Sequence, residues 1–181
     1  MENAFIPPGP LAAIQARLPP EDRAIVDVLV GTGYRVDDVL YSRVWQWRGD
    51  VVTLKERKTG NMRTVPVTAP VRAAIAVINR AALRPGQAER PRLAYLIRST
   101  RQRAPGRYRR KRHRTTIFRH FARAVREAGY AGCGYTVHSL RKVYAHSLYM
   151  RTGSLLAVQR DLGHKSLSTT LLYALGDVVK L

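Results

Sequence analysis

Apolar residues recur at helical spacing along most of the chain and alternate with polar ones in one stretch of its first half. Ala24, Ile25, Val28 and Leu29 mark one face of a helix. Pro20-Glu21-Asp22 suits its first turn, and Gly31-Thr32-Gly33 its end. Tyr34–Tyr41 predicts a second, short helix. Val44–Trp47, Val51–Arg57 and Met62–Val67 follow, separated by Gly49-Asp50 and Lys58-Thr59-Gly60-Asn61. Their alternation and turn chemistry predict three short strands in a small antiparallel sheet. Thr68 and Pro70 open a helix that runs to about Ala82. Leu83–Pro91 reads as a loop and Leu93–Ile97 as a buried extended segment. Further helices are predicted over Thr116–Ala128, Ser139–Met150, Ser154–Leu162 and Ser168–Leu175. The expected fold is therefore α+β and mainly helical, with the sheet near the N-terminal half. No internal repeat or linker divides it. Residues 1–20 read as a short lead-in, 21–175 as one domain and 176–181 as a short tail.

Charge changes the picture. The 181 residues hold 32 Lys plus Arg against 12 Asp plus Glu, a formal net charge of +20. Such an excess predicts a polyanionic partner, because neutralised phosphates release condensed counterions. The charge is concentrated between Arg98 and Arg114, where Arg101, Arg103, Arg107, Arg109, Arg110, Lys111, Arg112 and Arg114 stand without an acidic residue. As a solvated loop this block would repel itself; as a DNA clamp it would order on the phosphates, and the clamp is the favoured reading. No apolar run approaches the roughly 20 residues of a membrane-spanning helix, so a membrane partner is not expected. Met1–Pro10 lacks the pattern of a secretory signal. The single cysteine, Cys133, fits a reducing cytoplasm and reads as a small buried residue.

Candidate chemistry lies in four segments. They are Gly31-Thr32-Gly33-Tyr34-Arg35 with Asp38, the Lys58-Thr59-Gly60 turn, His138-Ser139-Leu140-Arg141-Lys142, and Leu162-Gly163-His164 with Tyr173 downstream. Guanidinium forks and imidazole donors can hold the non-bridging oxygens of a phosphodiester under attack. A tyrosine hydroxyl is a possible nucleophile once its proton is removed, and a lysine on a turn could serve as a proton donor. These residue types permit phosphoryl transfer without singling it out. His113, His120 and Cys133 do not make a convincing zinc set, and no phosphate-cradling Gly-rich loop is present, so neither metal nor cofactor is expected.

Order and spacing carry more. An Arg in a T-G-x-R turn, a Lys in a K-T-G hairpin, an H-x-L-R box, an L-G-H box and a Tyr nine residues beyond that His together resemble the tyrosine recombinase, or phage integrase, family. The resemblance runs from about Glu21 to Ala174 and implies that family's catalytic-domain fold. It implies DNA strand exchange through a 3′-phosphotyrosine on Tyr173. Arg35 and Arg141 would clamp the scissile phosphate. His138 would bond it and assist proton movement, and His164 would donate to a non-bridging oxygen. Lys58 would protonate the departing 5′ hydroxyl, and Asp38 would support the Arg35 turn. The implied partners are double-stranded DNA, a tetramer of this chain on it, and an accessory DNA-bending protein.

The same resemblance exposes two departures from the family. About 20 residues precede the first helix of the match, so the N-terminal helical domain of most members is expected to be absent, as in fimbrial-switch invertases. Only Ala174–Leu181 follow Tyr173, so docking of the tail on a neighbouring protomer is expected to be weak. A nicking and resealing topoisomerase would use the same chemistry. A non-enzymatic regulator would explain the charge and the helix-turn-helix look of Ser154–Leu175, but not the six residues Arg35, Lys58, His138, Arg141, His164 and Tyr173 together.

Overall fold

A computed structural model describes residues 3–82, 94–99, 111–164 and 166–175. Its helices are α1 (Pro8–Ala16), α2 (Pro20–Thr32), α3 (Val36–Tyr41), α4 (Ala69–Ala82), α5 (Arg114–Glu127), α6 (Ser139–Thr152), α7 (Leu155–Leu162) and α8 (Leu167–Ala174). Two strands, β1 (Val51–Lys55) and β2 (Met62–Pro66), complete the set. The fold is mainly helical α+β. Among the described residues no helix is long and apolar enough to cross a membrane. The chain divides into two compact units, Pro19–Ile117 and Met1–Leu18 with Phe118–Leu181.

In the first unit, α2 starts on Pro20 with Glu21 and Asp22 in its first turn, where carboxylates complement the helix dipole. Gly33 ends it in the left-handed region, at φ 63°, and returns its N–H to the Leu29 carbonyl at 2.9 Å. The apolar face of α2 packs on α4, and Ile25, Val28, Val71 and Ile78 are fully buried. Each such side chain stabilises the fold by about 1.5–3 kcal/mol relative to exposure.

The strands pair antiparallel from Val51↔Pro66 to Lys55↔Met62. Burial alternates along both, with Val52, Leu54, Arg63 and Val65 inward, while the Thr53 and Thr64 hydroxyls meet at 2.8 Å on the exposed face. The expected third strand is corrected. Val44–Trp47 is a 3-10 turn, and the sheet has two strands among the described residues. Val44 and Trp47 are buried three apart while Trp45 is 51% exposed, which is helical rather than strand spacing. Gln46 closes the turn by accepting the Arg43 N–H at 2.7 Å, and the Trp47 indole donates to Ser42 Oγ at 2.9 Å. The extended neighbour of this region is instead Ala94–Ile97. Val44 donates to the Ala94 carbonyl and Leu96 to the Ser42 carbonyl, both at 3.0 Å. Ala94, Leu96 and Ile97 are buried, as expected of that segment; Leu93 lies outside the described residues.

The second unit contains α1, a helix within the stretch that reads as a short lead-in. Pro8 and Pro10 fall in its first turn, where no N–H donor is required, and Ile14 is fully buried. Helices α6, α7 and α8 enclose a core of Tyr144, Ala145, Val158, Leu162 and Ala174, with Tyr173 and Leu155 packed against it. Their turns carry standard caps. Gly153 ends α6 at φ 64°, Ser154 Oγ accepts from the Ala157 N–H at 3.2 Å, and Gly163 ends α7 at φ 63°. Cys133, expected to be buried, is exposed. It sits between Gly132 and Gly134, both at positive φ, in a surface turn that leaves a side chain no core to enter.

Gly31 lies on the α2 face that meets α4, and a Cβ there would overlap Val71 Cγ2. Gly31→Ala is expected to lower unfolding stability by about 1–3 kcal/mol, and Gly31→Ala/Val71→Ala to recover part of it. Denaturant melts of the three proteins check this; an unchanged midpoint in Gly31→Ala would refute the close approach.

Candidate active site

Arg35 is set by its neighbour. Tyr34 is buried, and its hydroxyl donates to the Arg63 carbonyl on β2, with the Val52 carbonyl of β1 3.2 Å away. The Arg63 guanidinium lies over the Tyr34 ring at 4.8 Å and donates to the Thr32 carbonyl at 2.8 Å. The turn after α2 is thus fastened to the hairpin by backbone carbonyls that no substitution removes. Arg35 then caps α3, and its guanidinium pairs with Glu56 at 2.8 Å.

Two buried carboxylates join this turn to the one bearing Lys58. Asp38 accepts the Arg35 N–H at 3.3 Å and the Arg57 N–H at 2.9 Å. Glu56, 2% exposed, takes Arg35 on one oxygen and the Thr59 hydroxyl on the other at 2.9 Å. Lys58, between Arg57 and Thr59, is exposed. Burial, with the charge of Glu56 adding to it, raises the Asp38 pKa above its ordinary value against the opposing pull of the Arg57 and Arg35 amides and the Arg35 guanidinium. The expectation that Asp38 supports the Arg35 turn agrees with these bonds. Glu56 was not anticipated, although the alternation Val52, Leu54, Glu56 places a carboxylate in an inward register and so signals one.

The basic block divides. Arg101, Arg103, Arg107, Arg109 and Arg110 lie outside the described residues. Lys111 lies over the Tyr41 ring at 4.3 Å, where Arg57 also stacks at 3.6 Å. Arg114 pairs with Asp37 at 3.2 Å and is 59% exposed. Arg112 departs from the expected DNA-facing role. It is buried, with one nitrogen on Asp22 and another on Glu21 at 2.8 Å, so its charge is neutralised internally at the start of α2.

In the second unit, His138 caps α6 and is exposed, with Phe118 edge-on at 5.5 Å; its N–H donates to the Thr136 hydroxyl at 3.2 Å. Arg141, one turn on, is 6% exposed and donates from Nη2 to the Leu162 carbonyl at 2.8 Å. That carbonyl ends α7, so the guanidinium is aimed by the negative end of a helix. Gly163 turns the chain, and the His164 N–H returns to the Gln159 carbonyl at 3.0 Å. His164 Nδ1 lies 3.2 Å from the Thr170 hydroxyl, which donates to the Ser166 carbonyl at 3.3 Å. The Thr170 hydroxyl thus sets the orientation of the imidazole from its Nδ1 side. Tyr173, half-buried in the last turn of α8, meets His164 edge-on at 4.9 Å and 72°. Lys142, not singled out from sequence for a role, lies 5.8 Å from the centre of the Tyr173 ring. The unit brings Arg141, His164 and Tyr173 together around the ends of α7 and α8. Among the described residues no group of three or more His, Cys, Asp or Glu stands close enough to hold a metal.

The chain matches the Phage integrase family over residues 11–177. No curated protein matches. Solved structures do. XerA recombinase is 22% identical at a TM-score of 0.73, covering 94% of this chain and 58% of its own. A lambda integrase dimer bound to a COC′ core site gives 21%, 0.73, 96% and 48%. The Tn1549 transposon integrase in complex with transposon right end DNA gives 15%, 0.72, 96% and 62%. At these identities the likeness is one of fold, and the chain spans about half to three-fifths of those proteins. With the family match over nearly all of its length, the protein belongs to the phage integrase family, and its fold is that of a tyrosine-recombinase catalytic domain.

Asp38 gives a signed pH test. Because its folded pKa is raised, its ionisation opposes folding: the stability it contributes is present below the unfolded value near 3.8 and is lost as pH rises through the folded value. The difference in unfolding free energy between the wild type and Asp38→Asn should therefore shift against the wild type as pH rises across that interval. A flat or opposite difference in urea melts would contradict the burial argument.

Proposed function

We propose that the protein is a site-specific DNA recombinase that cleaves and rejoins strands through Tyr173. The phenolic oxygen attacks a phosphodiester, the bond to the 5′ oxygen breaks, and a 3′-phosphotyrosine and a free 5′ hydroxyl result. Arg35 and Arg141 hold the phosphate, His138 bonds it and takes part in moving the phenolic proton, His164 donates to a non-bridging oxygen, and Lys58 protonates the leaving oxygen. One ester is exchanged for another of comparable energy, so rejoining by the reverse attack needs no nucleotide. The observation that carries the reading is Tyr173 edge-on to His164 within the unit that also holds the buried Arg141.

The partner in this reading is double-stranded DNA in the cytoplasm, at the nucleoid. Two recombining sites require four cleavages, which a tetramer supplies, with an accessory protein bending the DNA. Arg101, Arg103, Arg107, Arg109, Arg110, Lys111 and Arg114 form the phosphate-contacting set, without Arg112.

Nicked suicide duplexes cut from the DNA flanking the gene test the chemistry. Wild type should form a covalent adduct and Tyr173→Phe none, with DNA affinity retained; normal capture by Tyr173→Phe would remove the nucleophile assignment. Relaxation of arbitrary supercoiled plasmid by dilute protein would favour a topoisomerase instead.

The basic set makes a separate expectation. Affinity should fall steeply with salt, and changing Arg101, Arg103, Arg107, Arg109 and Arg110 to Ala should flatten the log–log slope by about 0.9 for each phosphate left without its cation. An unchanged slope in a binding titration would exclude the block from the interface.

A further inference from the structure

We propose that His146 is a positioning residue for Tyr173, held in place by the N-terminal stretch Asn3–Phe5. The inference rests on Tyr173 being the nucleophile. His146 lies on α6, and its Nδ1 is 2.8 Å from the carbonyl oxygen of Ala174, the residue after Tyr173. A carbonyl only accepts, so Nδ1 carries the proton. Ala174 is the last residue of α8, and the last four carbonyls of a helix have no partner within it. Ala174 is also fully buried, which disfavours water as the replacement partner. The final turn of α8, which contains Tyr173, is thus secured from a side chain of another helix.

The imidazole is itself braced. The Phe5 ring packs against it with centroids 4.8 Å apart and planes at 53°. Phe5 is held because the Ala4 N–H donates to the Gly134 carbonyl at 3.2 Å and the Thr136 hydroxyl donates to Asn3 Oδ1 at 2.7 Å. The same Thr136 oxygen accepts the His138 N–H at 3.2 Å. Asn3, Ala4 and Phe5 therefore support two places in the site: the backbone entering His138 and the backbone leaving Tyr173. Fraying of the last turn of α8 would let the phenol move off its line of attack without disturbing the DNA-contacting arginines. The loss should fall on the chemical step rather than on binding.

The test compares wild type, His146→Ala, His146→Asn and Phe5→Leu on nicked duplexes from the DNA flanking the gene. Adduct-formation rate at saturating DNA and DNA affinity are read separately. Amide hydrogen exchange over Leu171–Leu175 is read without DNA. His146→Ala should slow adduct formation about tenfold, as one lost hydrogen bond of about 1.4 kcal/mol does. Affinity should stay within about twofold, and exchange in the last turn of α8 should speed up. Asn, whose amide nitrogen stands where Nδ1 does, should restore most of the rate, and Phe5→Leu should fall between. Equal adduct rates in wild type and His146→Ala, unchanged exchange, or an Asn variant no better than Ala overturns the inference. If His146→Ala does not fold, Phe5→Leu decides by the same readouts. A wild type that forms no adduct overturns the recombinase reading instead, and the exchange data then decide for or against His146.

Discussion

Glu56 is the constraint around which the first unit is arranged. A carboxylate taken almost wholly out of water costs several kcal/mol unless cations and donors meet it. Among the side chains that meet Glu56 are the guanidinium of Arg35 and the hydroxyl of Thr59. The first belongs to the turn after α2, the second to the turn that carries Lys58. Asp38 repeats the arrangement with backbone amides from the same two places. Neither turn can shift by much without leaving a buried charge unmet, so two loops far apart in sequence behave as one piece. The energy involved is weak evidence for stability, since well-packed apolar residues could fill the space. What the pair of acids fixes is register: where Arg35 sits relative to Lys58.

The second unit reaches the same end with no buried acid among its described residues. Arg141 is aimed by the Leu162 carbonyl, His164 is turned out by Gly163 and tied back to Gln159, and its ring is set by Thr170. The backbone bonds among these use groups that a helix end leaves unpaired. Such groups must find partners when buried, so side chains placed there acquire a fixed direction at little extra cost. A guanidinium or imidazole on the middle of an exposed helix would lack that direction and lose rotamer entropy on meeting a ligand.

What can be read in the sequence follows the same division. Helices with an apolar stripe and a terminal glycine or serine are legible, because Gly33, Gly153, Gly163 and Ser154 announce their ends by chemistry that needs only near neighbours. The six candidate residues are legible as an ordered set. Val44–Trp47 misleads because four residues with apolar ends fit a strand and a 3-10 turn equally well; Trp47 bonding to Ser42 decides it. Helix α1 escapes notice because prolines, which read as breakers, are tolerated in a first turn. Arg112 looks like one more member of a basic block. Its burial depends on Glu21 and Asp22, some 90 residues away, and no local pattern encodes that pairing.

The candidate groups share a placement. Arg35 caps α3, Lys58 stands in a hairpin turn, His138 caps α6, His164 follows the cap of α7, and Tyr173 lies in the last turn of α8. Only Arg141 lies further inside a helix, and it points at the end of another. Phosphoryl transfer without a nucleotide asks for donors aimed at one small, charged target, and helix ends and turns present such groups clear of the apolar stripes that build the core. The apolar periodicity can then vary widely while these ends stay in place. A fold shared at identities near 20% fits a core that constrains volume and pattern more than particular residues.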